Sequence, residues 1–512
     1  MSSGDIEFLI DNHDAWKRLT VDLQAAQRSV RVLLFYLDVG ECFVTFDPDP
    51  PVPGKGRVQG TRLEQVLADA GARGVQVQVV YNDAVGPDLP PLVATDTARA
   101  VARYFEDRAN VTVRPFRTSI LIPIHAKLFV IDDEIAYTIG SPFVSDYYDA
   151  QGHVIDDPRR GSWSRWPWRH QQIRVPVHDV SARVAGPLVA ELAKTFWLHW
   201  DMLGEHPESP TQPPSEASGT TVIRTLCGNG RYASYPSGER GILDAYLAAI
   251  ASAERFIYLE NQYVLCPEIG TALRSAMQRS SSLQLIVLMN TQVDLPLYGK
   301  WQLAFLNTLL GGLSEQQLGR IGLFTLWSHD HRPAAGTPPR VLRNYVHSKV
   351  AVVDDSWGTI GSANLDSVSL SQSDYALRVP ALRLLMRWWK SGVGPDPRQA
   401  RAMEVNLGLG GADAARLRSQ LWQEHLGETA ATSDDLLGAW SAAAASTLAC
   451  LQAPSATPCG GRVLRIPVVD GRVPDDVVDP EAFLGRLGVP AGSVELLETF
   501  PAFSFRRGDY EH

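Results

Sequence analysis

Two histidine–lysine pairs stand out in this chain as residues whose types and spacing could do chemistry. In Val346-His347-Ser348-Lys349, an imidazole and an ammonium stand two residues apart, ahead of an apolar run to Val353 and the pair Asp354-Asp355. Side chains two apart on a strand leave the same face, so the alternating pattern predicts one shared surface for His347 and Lys349. The aspartates supply turn chemistry, and Trp357 to Ile360 reads as a return strand that brings Gly361-Ser362-Ala363-Asn364 back beside the histidine. Such a hairpin assembles a small anion site. The same design occurs earlier, where Ile124-His125-Ala126-Lys127 runs through Asp132-Asp133 into Gly140-Ser141 with one extra residue in the return segment. A single H-x-K arises by chance. Two copies, each with an aspartate five residues after the lysine and a Gly-Ser near the hairpin's end, do not.

The elements that must position these residues repeat. Helix Asp14 to Arg28, strand Val30 to Leu37, helix Arg62 to Ala72, strand Val75 to Tyr81, helix Asp96 to Asp107 and strand Val111 to Pro115 precede the first motif. Strand Pro176 to Val180 and an amphipathic helix ending near Trp200 follow it. A Pro/Ser/Glu-rich run from Glu205 to Gly219 is the clearest linker, and after it the pattern restarts. Helices at Gly241 to Ala253, Glu268 to Arg279 and Lys300 to Leu310 alternate with strands at Phe256 to Tyr263, Leu283 to Met289 and Ile321 to Leu326, and the second motif occupies the same slot as the first. A strand at Tyr375 to Val379 and a helix at Ala412 to Leu426 come next. The order implies an α/β class built from two duplicated α/β/α sandwich domains, related by a pseudo-twofold with the active site at their interface. The boundaries read as 1–204, a linker 205–220, 221–428, and a tail 429–512 that holds an alanine-rich helix (Leu436 to Leu451) and packs on the core.

Composition narrows the partners. A chain of 512 residues with 45% apolar content buries a large core, and its net charge of −10 argues against a nucleic-acid partner. Lysine is scarce (Lys17, Lys55, Lys127, Lys194, Lys300, Lys349, Lys390), and two of these sit in the twin motifs as compact point charges. Cys42, Cys227, Cys266, Cys450 and Cys459 are odd in number and scattered, which predicts reduced thiols. The N-terminus has no basic and apolar leader pattern and no stretch is apolar enough to span a bilayer, so a cytoplasmic location is expected, with peripheral membrane binding or export without a cleavable signal left open. Trp163, Trp166 and Trp168 lie among arginines in a polar loop, either packed onto the domain or facing a lipid head group.

These residues resemble the phospholipase D superfamily, whose signature H-x-K-x4-D-x6-G-S-x-N is present twice. The second copy matches at His347, Lys349, Asp354, Gly361, Ser362 and Asn364. The likeness continues in Ile257 to Tyr263 (the family's "IYIENQYF"), Pro176 to Val180 ("PWHDV"), Ser145 to Asp149 ("GRYD") and Leu421 to Gly427, a late helix of the lipid-cleaving phospholipases. Departures are Phe143 where the first asparagine would be, the longer spacing from Asp132 to Gly140, and Val368 where many relatives carry arginine.

What the resemblance implies is a phosphodiesterase or transphosphatidylase that cleaves the distal phosphodiester of a glycerophospholipid through a phosphohistidine. One neutral imidazole attacks in line, and the other, protonated, hands its proton to the departing alcohol and then activates water. Family analogy makes His125 the nucleophile and His347 the acid/base, although the residues alone leave that symmetry unbroken. Lys127 and Lys349 would neutralise the non-bridging oxygens. A unit charge about 4 Å from another is worth roughly 4 kcal/mol at an effective dielectric near 20, so no metal and no cofactor are required. Ser141, Ser362 and Asn364 are candidate substrate-binding donors. Asp179 and Asp374 are candidate carboxylates behind the two histidines, and Asp132, Asp354, Gly140 and Gly361 are expected to hold the hairpins. Glu260, Asn261 and Gln262 end a strand near the site. His153, His170, His178, His329 and His331 read as surface or supporting histidines rather than metal ligands.

The expected partner is a glycerophospholipid at a membrane surface, met by a monomer, with water or a primary alcohol as acceptor and no nucleic acid involved. A cardiolipin synthase-like phosphatidyltransferase is the alternative, although such enzymes usually bring apolar anchors. A nuclease ranks lower given the acidic charge and the aromatic loop, and an inactive lipid-binding scaffold ranks lower because both copies keep His and Lys.

Overall fold

The computed structural model describes residues 5–51, 59–84, 93–118, 123–160, 175–201, 219–227, 232, 234–293, 298–329, 337–370, 402–427, 435–453 and 461–497. The strand expected at Tyr375 to Val379, the tryptophans of the polar loop, His170, His331 and Asp374 lie outside these residues.

Two sheets carry the site. The first is built from β1 (Ile6–Ile10), β2 (Ser29–Leu34), β3 (Gln76–Ala84), β4 (Val111–Thr118), β5 (Leu128–Ile131), β6 (Ile135–Thr138) and β7 (Val180–Ala185), in the order β1-β7-β6-β5-β2-β3-β4. The second contains β8 (Thr221–Leu226), β9 (Phe256–Asn261), β10 (Gln284–Met289), β11 (Ile321–His329), β12 (Lys349–Val353), β13 (Trp357–Gly361) and β14 (Glu404–Gly410), and runs β8-β14-β13-β12-β9-β10-β11. The two orders are the same, strand for strand. In each sheet the three parallel strands (β2, β3, β4 and β9, β10, β11) are joined through helices, as parallel strands require, and the motif hairpin adds antiparallel to the first of them.

One buried cluster joins the halves. Val130, Ala136, Val180 and Val184 of the first sheet meet Val350, Val352, Ile360, Val405 and Leu407 of the second in a continuous apolar core. Helices α1 (Asn12–Ala25) and α2 (Leu188–Asp201) belong to the first half, and α3 (Gly411–Leu426) to the second. The C-terminal region packs on this core and extends the second sheet. Leu436, Leu437 and Trp440 of α4 (Leu436–Gln452) enter the shared core, Val463–Arg465 pairs with β11, and Glu495–Leu496 pairs with Arg340–Arg343. The expectation of wholly reduced cysteines fails at Cys450, which is disulfide-bonded. An odd, scattered set does not exclude one pair. Cys42, Cys227 and Cys266 are buried thiols that take no part in a disulfide, and Cys459 lies outside the described residues.

Candidate active site

Each motif hairpin turns on its aspartate pair. Asp132 and Asp133 (φ 55° and 57°) and Asp354 and Asp355 (φ 54° and 57°) take up the left-handed conformation that tight hairpin turns demand and that aspartate tolerates. The first aspartate of each pair does more than turn. Asp132 accepts hydrogen bonds from the backbone N–H groups of Gln27, Arg28 and Ser29 at 2.7–2.8 Å, and Asp354 from Glu254, Arg255 and Phe256 at 2.7–2.9 Å. Both hairpins are thereby pinned to the start of the adjacent parallel strand.

The histidines sit just before the strands rather than within them, since β5 begins at Leu128 and β12 at Lys349. Their own segments pair across the halves. His347 N donates to His178 O at 2.8 Å while Tyr345 and Val346 pair with Val177 and His178. In the mirror arrangement His125 N and Ala126 N donate to Met403 O at 2.9 and 3.0 Å.

This crossing delivers each histidine to a carboxylate of the opposite half. His347 Nδ1 lies 2.7 Å from Asp179 Oδ2, and His125 Nδ1 lies 3.0 Å from the Glu404 carboxylate. With Nδ1 engaged, Nε2 is the atom each ring has left for substrate. The Gly-Ser serines complete the pattern. Ser141 Oγ donates to Asp179, and Ser362 Oγ donates to Glu404 at 2.6 Å, where Ser369 Oγ adds a second bond at 2.6 Å. The glycines are required by close approach: a Cβ on Gly140 would lie 2.1 Å from Asp179 Oδ1, and one on Gly361 would lie 2.4 Å from Val405 O.

Glu404 was missed in the sequence, where Asp374 was the candidate. The carboxylate against His125 is Glu404, and Asp374 lies outside the described residues. The signal was the repeat register. Ala182 pairs with Thr138 and Leu407 with Ile360, and Thr138 and Ile360 occupy equal places in their hairpins. Asp179 and Glu404 are therefore the same position in the two sheets. Register also explains the longer first motif, because the hairpin loops are equal in length and the extra residue falls after β6. Phe143, at the missing asparagine, packs instead against Trp16 and Phe129 with ring centroids 5.2 and 5.6 Å away.

The lysines share this centre. Lys127 Nζ donates to His125 O at 2.7 Å and lies 4.8 Å from the Phe35 ring centroid. Lys349 Nζ donates to His347 O and, at 3.1 Å, to Gln262 Oε1. Burial and the neighbouring Lys349 ammonium push Lys127 down to about 7. Burial, followed by Lys349, holds His347 down at about 3, and burial together with Lys127 and Lys349 lowers His125 in spite of Glu404. Burial alone would raise Asp179, but the His347 imidazole and the Lys349 charge hold its carboxyl far below its ordinary value. Each motif thus feels the charges of the other. Both imidazoles are kept neutral, and an anion bound between them would relieve the two crowded ammonium groups. Asn364 is buried, and its Oδ1 makes no hydrogen bond among the described residues.

A second polar group lies beside this centre. His153 and His178, expected as surface or supporting residues, are fully buried among Asp11, Asp149, Glu260 and Glu424. Glu260, at the end of the "IYLEN" strand, faces His178 and His425. His329 is buried separately, with Nε2 2.8 Å from Gly461 O.

Comparison with known proteins agrees with the sequence resemblance. A family model described as "Cardiolipin synthase, PLD-like domain" matches residues 246–379. Cardiolipin synthase B of Salmonella typhi is 26% identical over 328 residues, covering 61% of this chain and 65% of that protein. Phospholipase D A of Dictyostelium discoideum is 24% identical over 434 residues, 72% of this chain and 32% of its own length. The chain thus spans somewhat less than two thirds of the cardiolipin synthase it matches. Among solved structures, phosphatidylserine synthase of Haemophilus influenzae Rd KW20 aligns with a TM-score of 0.49 and 12% identity over 83% of this chain and 86% of that one. Together with the twin H-x-K motifs, the family-model match and the curated relatives support assignment of this chain to the phospholipase D superfamily.

Proposed function

We propose that this chain is a phosphatidyltransferase of the phospholipase D type, which exchanges the head group of a glycerophospholipid for another alcohol at a membrane surface. The observation that carries the reading is the crossed pairing of His125 with Glu404 and His347 with Asp179 around two buried lysines. Neutral His125 forms a P–N bond to the phosphatidyl phosphorus as the head-group P–O bond breaks, and the leaving alkoxide takes the proton that His347, neutral before substrate binds, takes up once the phosphodiester anion offsets the two ammonium charges. An acceptor hydroxyl then gives its proton back to His347 and attacks phosphorus, and the P–N bond breaks. Lys127 and Lys349 carry the charge of the non-bridging oxygens throughout.

The residues by themselves put hydrolysis first and transfer second. The similarity to cardiolipin synthases favours transfer to a lipid-borne or small alcohol, while the similarity to a phospholipase D keeps cleavage by water as the second reading. Among the described residues no helix is long and apolar enough to cross a membrane, which leaves peripheral contact with the lipid surface as the proposed mode.

The test supplies vesicles of phosphatidylglycerol, or of phosphatidylcholine with a primary alcohol, with no metal added, beside supercoiled plasmid. Transfer predicts a cardiolipin-like product or the phosphatidyl alcohol in excess of phosphatidic acid, lost in His125→Ala and His347→Ala. Phosphatidic acid alone would support hydrolysis. Plasmid nicking without lipid turnover would overturn the lipid assignment, and silence in both assays would favour a scaffold.

A further inference from the structure

Four side chains from distant parts of the chain converge behind the catalytic centre. Asp11 follows β1, His153 lies in the loop after the first motif, His178 precedes Asp179, and Glu424 comes from α3 of the other half. His153 Nε2 is 3.3 Å from Glu424 Oε1 and 3.7 Å from Asp11 Oδ2, and His178 Nδ1 is 3.5 Å from Glu424 Oε1. Ligand atoms bound tetrahedrally to one ion at about 2.0–2.1 Å stand roughly 3.3 Å apart. Within the set, His178 Nδ1 and Asp11 Oδ1 also lie 3.1 Å apart in a hydrogen bond. Asp11 Oδ2, His153 Nε2 and both carboxylate oxygens of Glu424 are buried, yet make no hydrogen bond among the described residues. The side chains of Asp11, His153 and Glu424 are 1%, 1% and 8% exposed. Buried polar atoms without hydrogen bonds are costly in a protein interior unless something binds them.

We propose that Asp11, His153, His178 and Glu424 hold a divalent transition-metal ion of the zinc class, which ties the two halves together one residue from Asp179. The surroundings are those of a metal centre. The far nitrogen of each imidazole faces a carboxylate: His153 Nδ1 lies 2.9 Å from Asp149 Oδ2, and His178 Nε2 lies 2.7 Å from Glu260 Oε1. Those carboxylates are themselves held, Asp149 by Arg160 at 2.8 Å and Val177 N at 2.7 Å, and Glu260 by the Tyr258 hydroxyl at 2.5 Å. This is the carboxylate–histidine–metal order that fixes ring orientation and raises ligand basicity. Two imidazoles and two carboxylates suit zinc better than calcium or magnesium, which take oxygen ligands.

The fold itself does not call for the cluster. By strand register the position of His178 in the first sheet is filled by Met403 in the second, and the position of Glu260 in the second is filled by Leu33 in the first. Apolar side chains fill these two equivalent places. The ion is remote from the reacting phosphorus in this scheme and acts by position, fixing the 177–179 segment whose His178 carbonyl and Asp179 carboxylate both hold His347.

The test is metal content. The full chain, purified without a metal-binding tag and equilibrated with excess zinc, is expected to retain about one zinc per chain by elemental mass spectrometry. Its melting temperature should fall on exhaustive chelation and recover with zinc but not with magnesium. His153→Ala and Glu424→Gln should each lower retained zinc at least tenfold. Should those variants not fold, cobalt substitution of the wild-type chain should give the visible absorption of a tetrahedral N2O2 site. Wild-type chain that retains less than roughly a tenth of an equivalent of zinc, with melting indifferent to chelator, would overturn the proposal and leave the network to protons alone. Zinc retained in full by both variants would overturn its location. Because zinc is counted without lipid, the result stands apart from the lipid assay, and His125→Ala should bind zinc while turning over no lipid.

Discussion

Asp179 and Glu404 occupy the same register position in the two sheets, and each serves the histidine of the half it does not belong to. The cause is backbone pairing between the halves, which lays Tyr345–Val346 against Val177–His178 and Ile124 against Met403. Neither motif has its carboxylate without the other half.

Glu404→Gln should keep the shape of the site while removing the anion that sets the His125 tautomer. By analogy with the third member of a hydrolase triad, kcat should fall by about 10³–10⁴-fold. Asp374→Asn should fall far less. The reverse ranking in steady-state assays would reject Glu404 as the partner of His125.

Lys127, held down at about 7, should give kcat/KM an alkaline limb. Below that pH the ammonium is present and neutralises the phosphate; above it the charge is lost and the rate declines. In kcat the limb should move to higher pH, because bound substrate anion favours the protonated amine. Lys127→Arg, always charged, should be slow yet lack the limb. A limb that survives unchanged in that variant belongs to another group.

The same lysine should be a burden on folding. Its folded pKa lies below the unfolded value, so the unfolded chain binds the proton more tightly and stability rises with pH between about 7 and 10. Lys127→Met should therefore abolish turnover while stabilising the fold by roughly 1–4 kcal/mol at neutral pH. A lower urea midpoint for this variant than for wild type would contradict the sign.

Asp354→Ala removes the acceptor for three backbone N–H groups at the start of β9. The cost should be about 1–3 kcal/mol in urea unfolding, with kcat/KM of the remaining folded protein within roughly tenfold of wild type. A loss of turnover without loss of stability would place Asp354 in the chemistry instead.

Much of this was legible because the candidate catalytic pairs repeat. His125, Lys127, His347 and Lys349 sit in short, contiguous segments whose alternation and turn residues announce a hairpin, and the linear order of strands and helices restarts after the linker. Glu404 was not legible by the same means. Its strand, Glu-Val-Asn-Leu-Gly-Leu-Gly, has two glycines in place of β-branched residues, and the serine it meets is far back in the chain. The His153–His178 cluster was hidden for another reason. Its members come from Asp11 to Glu424 with no fixed spacing, so only the folded chain assembles them. The short strands of the C-terminal region were not legible because they are recruited by the edge of an existing sheet rather than specified by their own pattern.

The antiparallel ladder between β13 and β14 has a further consequence. Side chains alternate along β14, so an inserted or deleted residue that shifted its pairing by one place would turn Glu404 away from the cleft and present Val405 in its stead. Both signature motifs would remain intact on paper in such a frameshifted strand. The defect would surface at His125, in the opposite half of the polypeptide, and a suppressor restoring it would be sought in the hydrogen-bonding phase of β14 rather than anywhere near the imidazole it rescues.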